Sequence, residues 1–459
     1  MKSHVLILGD TLAGLVAAWR LCTAEYRVTI LKATDTLHEA TASANPPNEI
    51  PDSPIVYGSH AYTDSLLQDL GISRQESGWK RVALEFKTEA SASARFSCPP
   101  FPAPWHTLWG LATFSALPYR ERWRMLTYLE KVWEGVTALP SALDLQTADV
   151  WLTNNGQTAA VQKTIWNPLC RFLMGTSLSH TRAGSFTAML ARVFFQTSRR
   201  SPRITPLPKV ATLLAQSLTE RLKQRSAGID RVPAIEHLQV GAERVTGVRA
   251  SDGTLYTADW YVAAVHPTTL ASFLPERLLA RYSSFHQMSQ APFSPMVRFT
   301  GLSDHTITTP RLILHDGRFS WTLCHPTDAS KDHATLLSCV STGDAAFLSE
   351  SDDRIQACAL DTLHTVFPDH PFSNPERLHR SHITRQPLGF VPHMPGTEPS
   401  RPSNQTPIRN FLLAGSWTDT NASTEIESAI ASGNLCAEIL LDHPRALTSR
   451  NPATYDATL

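Results

Sequence analysis

The opening thirty residues constrain the fold of this chain most strongly, because they alternate between strand and helix patterns. The unbroken apolar run at 5–8 predicts a buried strand, and residues 12–24 have the periodicity of a helix. Residues 27–31 are rich in β-branched side chains and predict a second strand. Two parallel strands joined by a helix of this length begin a doubly wound sheet. We therefore predict an α/β fold.

A glycine-containing loop connects the first strand to the first helix. Gly9 would permit the tight turn, and Gly14 would let the helix pack closely on the strand, as in dinucleotide-binding loops. The pyrophosphate of a dinucleotide would then lie on the helix N-terminus. Thr11 replaces the middle glycine, where its side chain would occupy pyrophosphate space, and Lys32 stands where an acidic residue usually holds the ribose. We predict dinucleotide binding by these four residues. A purely structural turn is the alternative.

The C-terminal end of the chain repeats the same order of elements. An apolar strand at 411–414 leads through a glycine into a helix at 425–441. Such a junction directs backbone N–H groups at a phosphate or at a flavin ring, although an ordinary terminal strand–helix pair is the alternative. The residues predicted to contact the cofactor here are Gly415, Ser416 and Ile426. The small residues predicted to let the helix approach the sheet are Ala429, Ser432 and Gly433.

The middle of the chain alternates between segments of different character. A stretch rich in Pro, Trp and Phe leads into helices at 120–133 and 158–195, and alternating strands and helices return at 208–267. A Rossmann-like FAD- or NAD(P)-binding domain is therefore predicted to be interleaved with an α+β substrate domain. The predicted divisions are a first FAD-binding part (1–75), a mostly helical, substrate- or membrane-facing domain (76–205), a second FAD-binding part (206–270), a mixed-sheet substrate domain (271–400), a third FAD-binding part (401–445) and a tail (446–459).

The composition argues against several classes of protein. Lys plus Arg and Asp plus Glu both number 41, so the formal net charge is zero and we expect no nucleic-acid partner. The seven cysteines lie far apart without metal-ligand spacing, which predicts free thiols, a reducing compartment and no metal site. No window has the apolar length of a membrane span or of a signal-peptide core. We expect a cytoplasmic protein.

Several short motifs occur along the chain in a specific order. They are Tyr-Gly-Ser-His at 57–60, Phe-Pro-Ala-Pro-Trp-His at 101–106, Trp-Asn-Pro-Leu-Cys at 166–170, an acid-led strand ending Ala-Val-His-Pro at 259–267, Ser-Pro-Met-Val at 294–297, Arg-Pro at 401–402 and the block 410–433. This order resembles that of the amine-oxidase-like FAD proteins, which include phytoene-type desaturases. Within that group the chain looks most like the hydroxysqualene dehydroxylases, also called squalene-associated FAD-dependent desaturases.

The resemblance implies that the chain binds FAD and reduces hydroxysqualene to squalene in hopanoid or triterpenoid biosynthesis. It implies an apolar triterpenoid substrate and peripheral contact with the inner face of the cell membrane. Other squalene-synthesis enzymes are further expected partners. The region 96–195 would line a substrate tunnel or face the membrane, with a plain helical core as the alternative.

The same resemblance assigns roles to individual residues. His60 is the expected proton donor to the departing hydroxyl, and Glu427 would orient the flavin. Val245 is a further expected cofactor contact, and Arg401 would pair with a cofactor phosphate or a local carboxylate. A hydrogen-bonded structural histidine is the alternative for His60. A carboxylate that complements a helix dipole is the alternative for Glu427.

The chain departs from the pattern of that family near the cofactor. Besides Thr11 and Lys32, residues 37–40 replace a Gly-Gly-Arg segment, Ser416 replaces an Asp, and residues 420–423 replace a Thr-Gly-x-Pro run. Two alternative functions therefore remain open. One is a non-catalytic or flavin-poor relative that binds a terpenoid or a partner enzyme. The other is a different flavin oxidoreductase, either a carotenoid desaturase or an amine oxidase.

Overall fold

A computed structural model describes residues 3–33, 56–57, 60–72, 80–81, 83–87, 93–102, 104–134, 143, 145–195, 203–205, 210–241, 243–327, 334–395, 401–420, 422 and 424–448. Its strands are β1 (His4–Leu8), β2 (Arg27–Ala33), β3 (Val56–Tyr57), β4 (Lys80–Arg81), β5 (Ala83–Lys87), β6 (Ser93–Ser97), β7 (Arg203–Thr205), β8 (Gly228–Val232), β9 (Ile235–Val240), β10 (Val245–Ala250), β11 (Leu255–Tyr256), β12 (Trp260–Ala263), β13 (Ser294–Ser303), β14 (Arg311–Leu314), β15 (Trp321–Pro326), β16 (Thr335–Thr342), β17 (Leu378–Phe390) and β18 (Phe411–Leu413). Its α-helices are α1 (Leu12–Thr23), α2 (Ala61–Asp69), α3 (Trp105–Ala112), α4 (Tyr119–Glu134), α5 (Ala148–Asn154), α6 (Ala159–Val161), α7 (Asn167–Met174), α8 (Ala183–Phe194), α9 (Val210–Gln224), α10 (Pro267–Phe273), α11 (Glu276–Arg281), α12 (Ser283–Ser289), α13 (Ala345–Leu348), α14 (Asp352–Val366) and α15 (Glu425–Thr448).

A five-stranded parallel sheet organises one half of the molecule. Its strands lie in the order β18-β12-β1-β2-β8, and every neighbouring pair is parallel. These strands come from three separate parts of the chain, within 4–33, 228–263 and 411–413. The carboxyl ends of parallel strands meet at one edge of the sheet, so the loop after β1, the end of β2 and the turn after β18 lie along that edge. The predicted doubly wound α/β fold is confirmed.

Helices and a small antiparallel sheet cover the two faces of the parallel sheet. One face is buried by α1, α2, α9 and α15, with Val16, Leu214 and Cys436 among the core side chains. The other face is covered by the β11-β10-β9 sheet with α10 and α12, whose core includes Val248 and Leu270. Burial on both faces explains why β1 and β12 have unbroken apolar sequences.

A seven-stranded sheet forms the other half of the molecule, in the order β17-β13-β16-β15-β14-β5-β6. Its β5–β6 hairpin comes from the segment 76–205, which the sequence predicts to be mostly helical, whereas β13–β17 come from 271–400. The two segments therefore share one sheet. Helices α3, α4, α7 and α8 pack on one face of it, and α14 packs on the other.

The last helix, α15, is longer than predicted. The sequence predicts that it ends at residue 441 and that 446–459 form a tail, but the helix continues to Thr448. Pro444 has no N–H to donate to the carbonyl of Leu440, one turn earlier. The Tyr26 hydroxyl donates to that carbonyl at 3.2 Å and satisfies the acceptor that the proline leaves.

Some predicted features fall on residues that the structure does not describe. These are the segments 37–40 and 58–59, residues 421 and 423, and the tail beyond 448. In the part of the chain that is described, no helix is both long enough and apolar enough to cross a membrane. The same residues contain no group of three or more His, Cys, Asp or Glu side chains suited to a metal ion.

Candidate functional site

The loop between β1 and α1 requires glycine at two positions. Gly9 has a φ of +99°, and a Cβ on it would lie 2.4 Å from the carbonyl oxygen of Ala264. A Cβ on Gly14 would lie 2.7 Å from the carbonyl oxygen of Gly9. No side chain is accommodated at such distances, so the two glycines let the loop pass directly against the end of β12.

The Thr11 hydroxyl caps the helix that follows this loop. Its Oγ1 donates to the Ala264 carbonyl at 2.9 Å and accepts from the Gly14 amide at 3.4 Å. The hydroxyl is therefore held against β12 and the first turn of α1 by these two hydrogen bonds. The amides of Leu12 and Ala13 have no partner within the helix, and both residues are buried. With the positive end of the helix dipole, these amides suit an anionic pyrophosphate.

Lys32 forms an ion pair with a residue of the glycine loop. Its Nζ lies 2.6 Å from Oδ2 of Asp10, and the side chains are only 23% and 18% exposed. The Gly9 amide donates to the Leu31 carbonyl at 2.9 Å, which fixes the loop beside the end of β2. Lys32 thus lies at the edge where a ribose-binding side chain is expected, with its charge matched by a carboxylate.

The turn after β18 is hydrogen-bonded within the protein. The Gly415 amide donates to Ser432 Oγ at 2.9 Å, so this amide holds α15 against the turn, and the cofactor contact expected at Gly415 stays a prediction. A Cβ on Gly415 would lie 2.3 Å from Trp417 Nε1, and packing against the indole therefore requires glycine. The Ser416 carbonyl accepts from Arg401 at 3.1 Å. A side-chain contact from Ser416 or Arg401 to the cofactor stays a prediction.

The small residues of α15 contact α1 as well as the turn after β18. A Cβ on Gly433 would lie 2.5 Å from the Ala13 carbonyl oxygen and 2.9 Å from Val16 Cβ. The close approach that Gly433 permits is thus between two helices, and the predicted approach to the sheet is corrected for this residue. Ser432 Oγ also accepts from Asn404 Nδ2 at 2.7 Å.

Glu427, in the first turn of α15, binds the start of α2. Its carboxylate accepts from the Tyr62 amide at 2.9 Å, from the Thr63 amide at 3.0 Å and from Thr63 Oγ1 at 2.6 Å. Burial raises the pKa of Glu427 and these hydrogen bonds oppose that increase. The contacts are those of a carboxylate that stabilises a helix N-terminus. The flavin-orienting role predicted for Glu427, and the cofactor contact predicted for the neighbouring Ile426, stay predictions.

His60 precedes α2 and lies at the same junction as Glu427. Its Nε2 is 3.4 Å from Oγ1 of Thr424, the residue before α15. The imidazole is 3% exposed, and burial together with the charge of Arg192 lowers the pKa of His60 to about 3. About one imidazole in ten thousand would be protonated at pH 7. A proton-donor role, which stays a prediction, would therefore fall to the neutral ring N–H.

Val245 lies at the opposite edge of the parallel sheet. Its amide donates to Asn410 Oδ1 at 2.8 Å, and its carbonyl accepts from Asn410 Nδ2 at 3.0 Å. Asn410 precedes β18 and also donates to the carbonyl of Asp259, which precedes β12. Val245 is therefore held at the amino ends of these strands, away from Gly9 and Lys32. The cofactor contact expected at Val245 gains no support from this position and stays a prediction.

An apolar cavity of about 40 Å³ lies between the seven-stranded sheet and its covering helices. Eleven of its twelve lining side chains are apolar or aromatic, and the exception is Thr107. A π-helical turn at Gln162–Trp166 brings Ile165 and Trp166 to the cavity, and the indole N–H of Trp166 donates to Gln157. Phe96, Phe114 and Phe194 line it from β6, the end of α3 and α8.

A group of large apolar side chains is exposed on the outer side of α3 and at the start of α4. We call it the aromatic surface, and its members are Phe101, Trp105, Leu108, Trp109, Tyr119 and Trp123. Trp105, Trp123 and Tyr119 are 62%, 69% and 86% exposed. Side chains that pack in a protein core or in a closed interface are largely buried, so these three side chains face the surface. Because α3 also lines the apolar cavity through Leu111, this helix separates the cavity from the aromatic surface.

Two side chains that organise the site were not predicted from the sequence. Asp10 lies inside the glycine loop, and this position is the sequence feature that could have identified it. Asn404 donates to the Leu413 carbonyl at 2.8 Å and to Ser432, so it joins β18 to α15. No local pattern marks Asn404, because its partners come together only in the folded chain.

Comparison with known proteins agrees with this architecture. A family model described as flavin containing amine oxidoreductase matches residues 53–441. The chain is 23% identical to a chloroplastic/chromoplastic 15-cis-phytoene desaturase of an Oncidium hybrid cultivar, over 97% of this chain and 79% of that protein. It is 25% identical to a probable zeta-carotene desaturase of Synechococcus elongatus, over 68% and 69%. Among solved structures, cyclohexylamine oxidase from Brevibacterium oxydans has a TM-score of 0.70 at 15% identity, over 97% of this chain and 100% of that chain.

The match to the family model covers most of the chain, and the solved structures share its fold. The helix N-terminus at α1 has the buried glycine loop and the amides that the pyrophosphate of FAD requires. The chain belongs to the flavin containing amine oxidoreductase family, as an FAD-linked oxidoreductase of the amine oxidase and carotenoid desaturase type.

Proposed function

We propose that this oxidoreductase reduces hydroxysqualene to squalene. The observation that carries the proposal is the apolar cavity beside the seven-stranded sheet, because its lining offers almost no polar partner to a substrate. A hydrocarbon chain has no polar group that would lose hydrogen bonds to water in such surroundings. A charged amine would be buried there without a counter-ion. The cavity therefore favours a terpenoid over an amine.

The size of the cavity implies that α3 moves when substrate enters. Ligand pockets usually measure roughly 300–1,000 Å³, and the described cavity of about 40 Å³ is far smaller. Helix α3 has only eight residues, Trp105–Ala112, and presents exposed tryptophans on its outer side. Because α3 is short and lies between the cavity and the surface, its displacement would open the cavity with little loss of packing.

We further propose that the aromatic surface contacts the inner face of the cell membrane. Tryptophan and tyrosine favour the membrane interface because each joins an apolar ring to a polar group. Arg120 is exposed beside this surface. The carboxylate that follows Arg120 in the sequence, Glu121, pairs with Arg124 at 2.9 Å, so it adds little negative charge of its own. The surface therefore suits anionic lipid, from which an apolar substrate would enter beneath α3.

When bound, FAD supplies the hydride chemistry of the reaction. The N-terminus of α1 would hold its pyrophosphate, and the start of α15 would face the flavin end. The neutral His60 ring N–H would hydrogen-bond the departing hydroxyl, because hydroxide is a poor leaving group. Glu427 would act as a positioning residue, since it fixes Tyr62 and Thr63, two and three residues after His60.

The direct test is turnover by the reduced holoprotein under anaerobic conditions. The FAD-loaded protein is reduced with dithionite and given hydroxysqualene in detergent, and squalene is measured by gas chromatography. We expect squalene in proportion to the flavin that is reoxidised. His60→Gln should lower this turnover strongly with flavin content unchanged. Holoprotein that forms no squalene would refute the proposal.

Desaturation of a linear carotenoid precursor is the second candidate function. It is favoured by the relatives, which are named phytoene and zeta-carotene desaturases. The oxidised holoprotein would then convert phytoene in the presence of a quinone acceptor, without any prior reduction. The two activities need opposite starting states of the flavin, so the same preparation distinguishes them. A folded protein with neither activity would support the non-catalytic alternative.

A further inference from the structure

The ion pair between Asp10 and Lys32 has no counterpart in the usual dinucleotide-binding pattern. In that pattern an acidic residue after the second strand accepts hydrogen bonds from the ribose hydroxyls. Here the residue at that place is a lysine, which has three donors and no acceptor. The lysine Nζ contacts Asp10 at 2.6 Å, so a carboxylate is nevertheless present at this edge of the sheet.

The position of Asp10 is fixed by the backbone around it. Gly9 directly precedes it, and the Gly9 amide donates to the Leu31 carbonyl at the end of β2. The Thr11 hydroxyl directly after it is bonded to the Ala264 carbonyl. Asp10 therefore lies between two anchored residues, beside the N-terminus of α1 and next to the end of β2. This is the space between the pyrophosphate site and the expected ribose site.

Lys32 orients that carboxylate and offsets its charge. A lone carboxylate at a pyrophosphate site would repel the cofactor, whereas the pair carries no net charge. One carboxylate has about four acceptor sites, so the Oδ atoms can bind the lysine and still accept from a hydroxyl.

We propose that Asp10 accepts the ribose hydroxyls of the adenosine half of FAD, with Lys32 as its positioning residue. The acceptor carboxylate thus lies in the glycine loop, whereas the usual pattern has it after the second strand. This inference rests on FAD being the cofactor, but not on the identity of the substrate. Loss of hydroxysqualene turnover would therefore leave it intact.

The test is the affinity of the protein for flavins, measured by quenching of flavin fluorescence. Asp10→Asn should weaken FAD binding about 10-fold or more, because a charged acceptor is lost. Lys32→Met leaves the carboxylate without its support and should weaken FAD binding about 3-fold or more. FMN has no adenosine, so its binding should be unchanged in both variants. Asp69→Asn removes the 2.8 Å ion pair to Arg20 on the surface of α1 and is the matched control.

A double variant makes the inference falsifiable even if a single variant folds poorly. Asp10→Gly with Lys32→Glu returns the acid to the end of β2 and should bind FAD within about 3-fold of the unaltered protein. Thermal unfolding of each variant, with and without FAD, reports folding separately. Asp10→Asn with unaltered FAD affinity would overturn the inference. So would a double variant that binds FAD when the unaltered protein binds none, because the pair would then be blocking the ribose site.

Discussion

His60 shows how burial sets the charge of a candidate catalytic side chain. The motif at 57–60 draws attention to this histidine, but its protonation follows from surroundings that only the folded chain provides. Burial and Arg192 together lower its pKa to about 3. The histidine is therefore a neutral hydrogen-bonding group near neutral pH, and the proton-donor role expected for it stays a prediction.

The lowered pKa of His60 predicts an acid-sensitive component of stability. The unfolded chain binds the proton below pH 6.5, whereas the folded chain binds it only near pH 3. The free energy of unfolding should therefore fall as the pH falls through this window. His60→Gln should reduce that fall, as measured by urea unfolding between pH 6.5 and pH 4. His237→Gln, at an exposed site on β9, is the control and should keep the unaltered profile. Equal acid dependence in all three proteins would contradict the pKa assignment.

The close packing of helices α1 and α15 depends on the absence of a side chain at Gly433. Gly433→Ala would bring a Cβ to 2.5 Å from the Ala13 carbonyl oxygen, so the two helices must separate. We expect a loss of about 1–3 kcal/mol in the free energy of unfolding. Gly241→Ala is the matched control, because its nearest neighbour would lie at 3.6 Å. Urea unfolding measures both, and equal stabilities would show that the helices adjust without cost.

Elements with a strong local pattern were predictable from the sequence. The apolar run of β1, the periodicity of α1 and α9, and the glycine loop all carry their own signals. The β5–β6 hairpin was missed although its residues alternate between buried and exposed positions. Its membership of the seven-stranded sheet depends on pairing with β14, more than two hundred residues away.

The candidate site was predictable only where backbone geometry dictates the residue. Gly9 and Gly14 follow from the turn that a βαβ unit requires. The hydrogen-bond partners of Gly415 and Val245 were not predictable, because Ser432 and Asn410 reach them from distant parts of the chain. Local sequence does not contain such partners.

At the scale of the whole molecule, the aromatic surface predicts reversible membrane binding. The double variant Trp105→Ser, Trp109→Ser should bind vesicles of phosphatidylglycerol and phosphatidylcholine about 10-fold more weakly than the unaltered protein, because less apolar area is buried in the interface. Leu255→Ser removes an apolar residue that is 45% exposed on β11 and is the matched control. Vesicle sedimentation measures both. Unchanged binding by the tryptophan variant would rule out this surface as the membrane contact.

Each activity proposed for this protein requires that a glycine loop containing Thr11 and Asp10 holds FAD. The most direct measurement is the visible absorption spectrum of the purified protein, before and after addition of FAD and removal of the excess. We predict the spectrum of a protein-bound flavin at one FAD per chain, because the α1 amides and both loop glycines are in place. A folded protein that stays colourless after FAD is added would contradict the account.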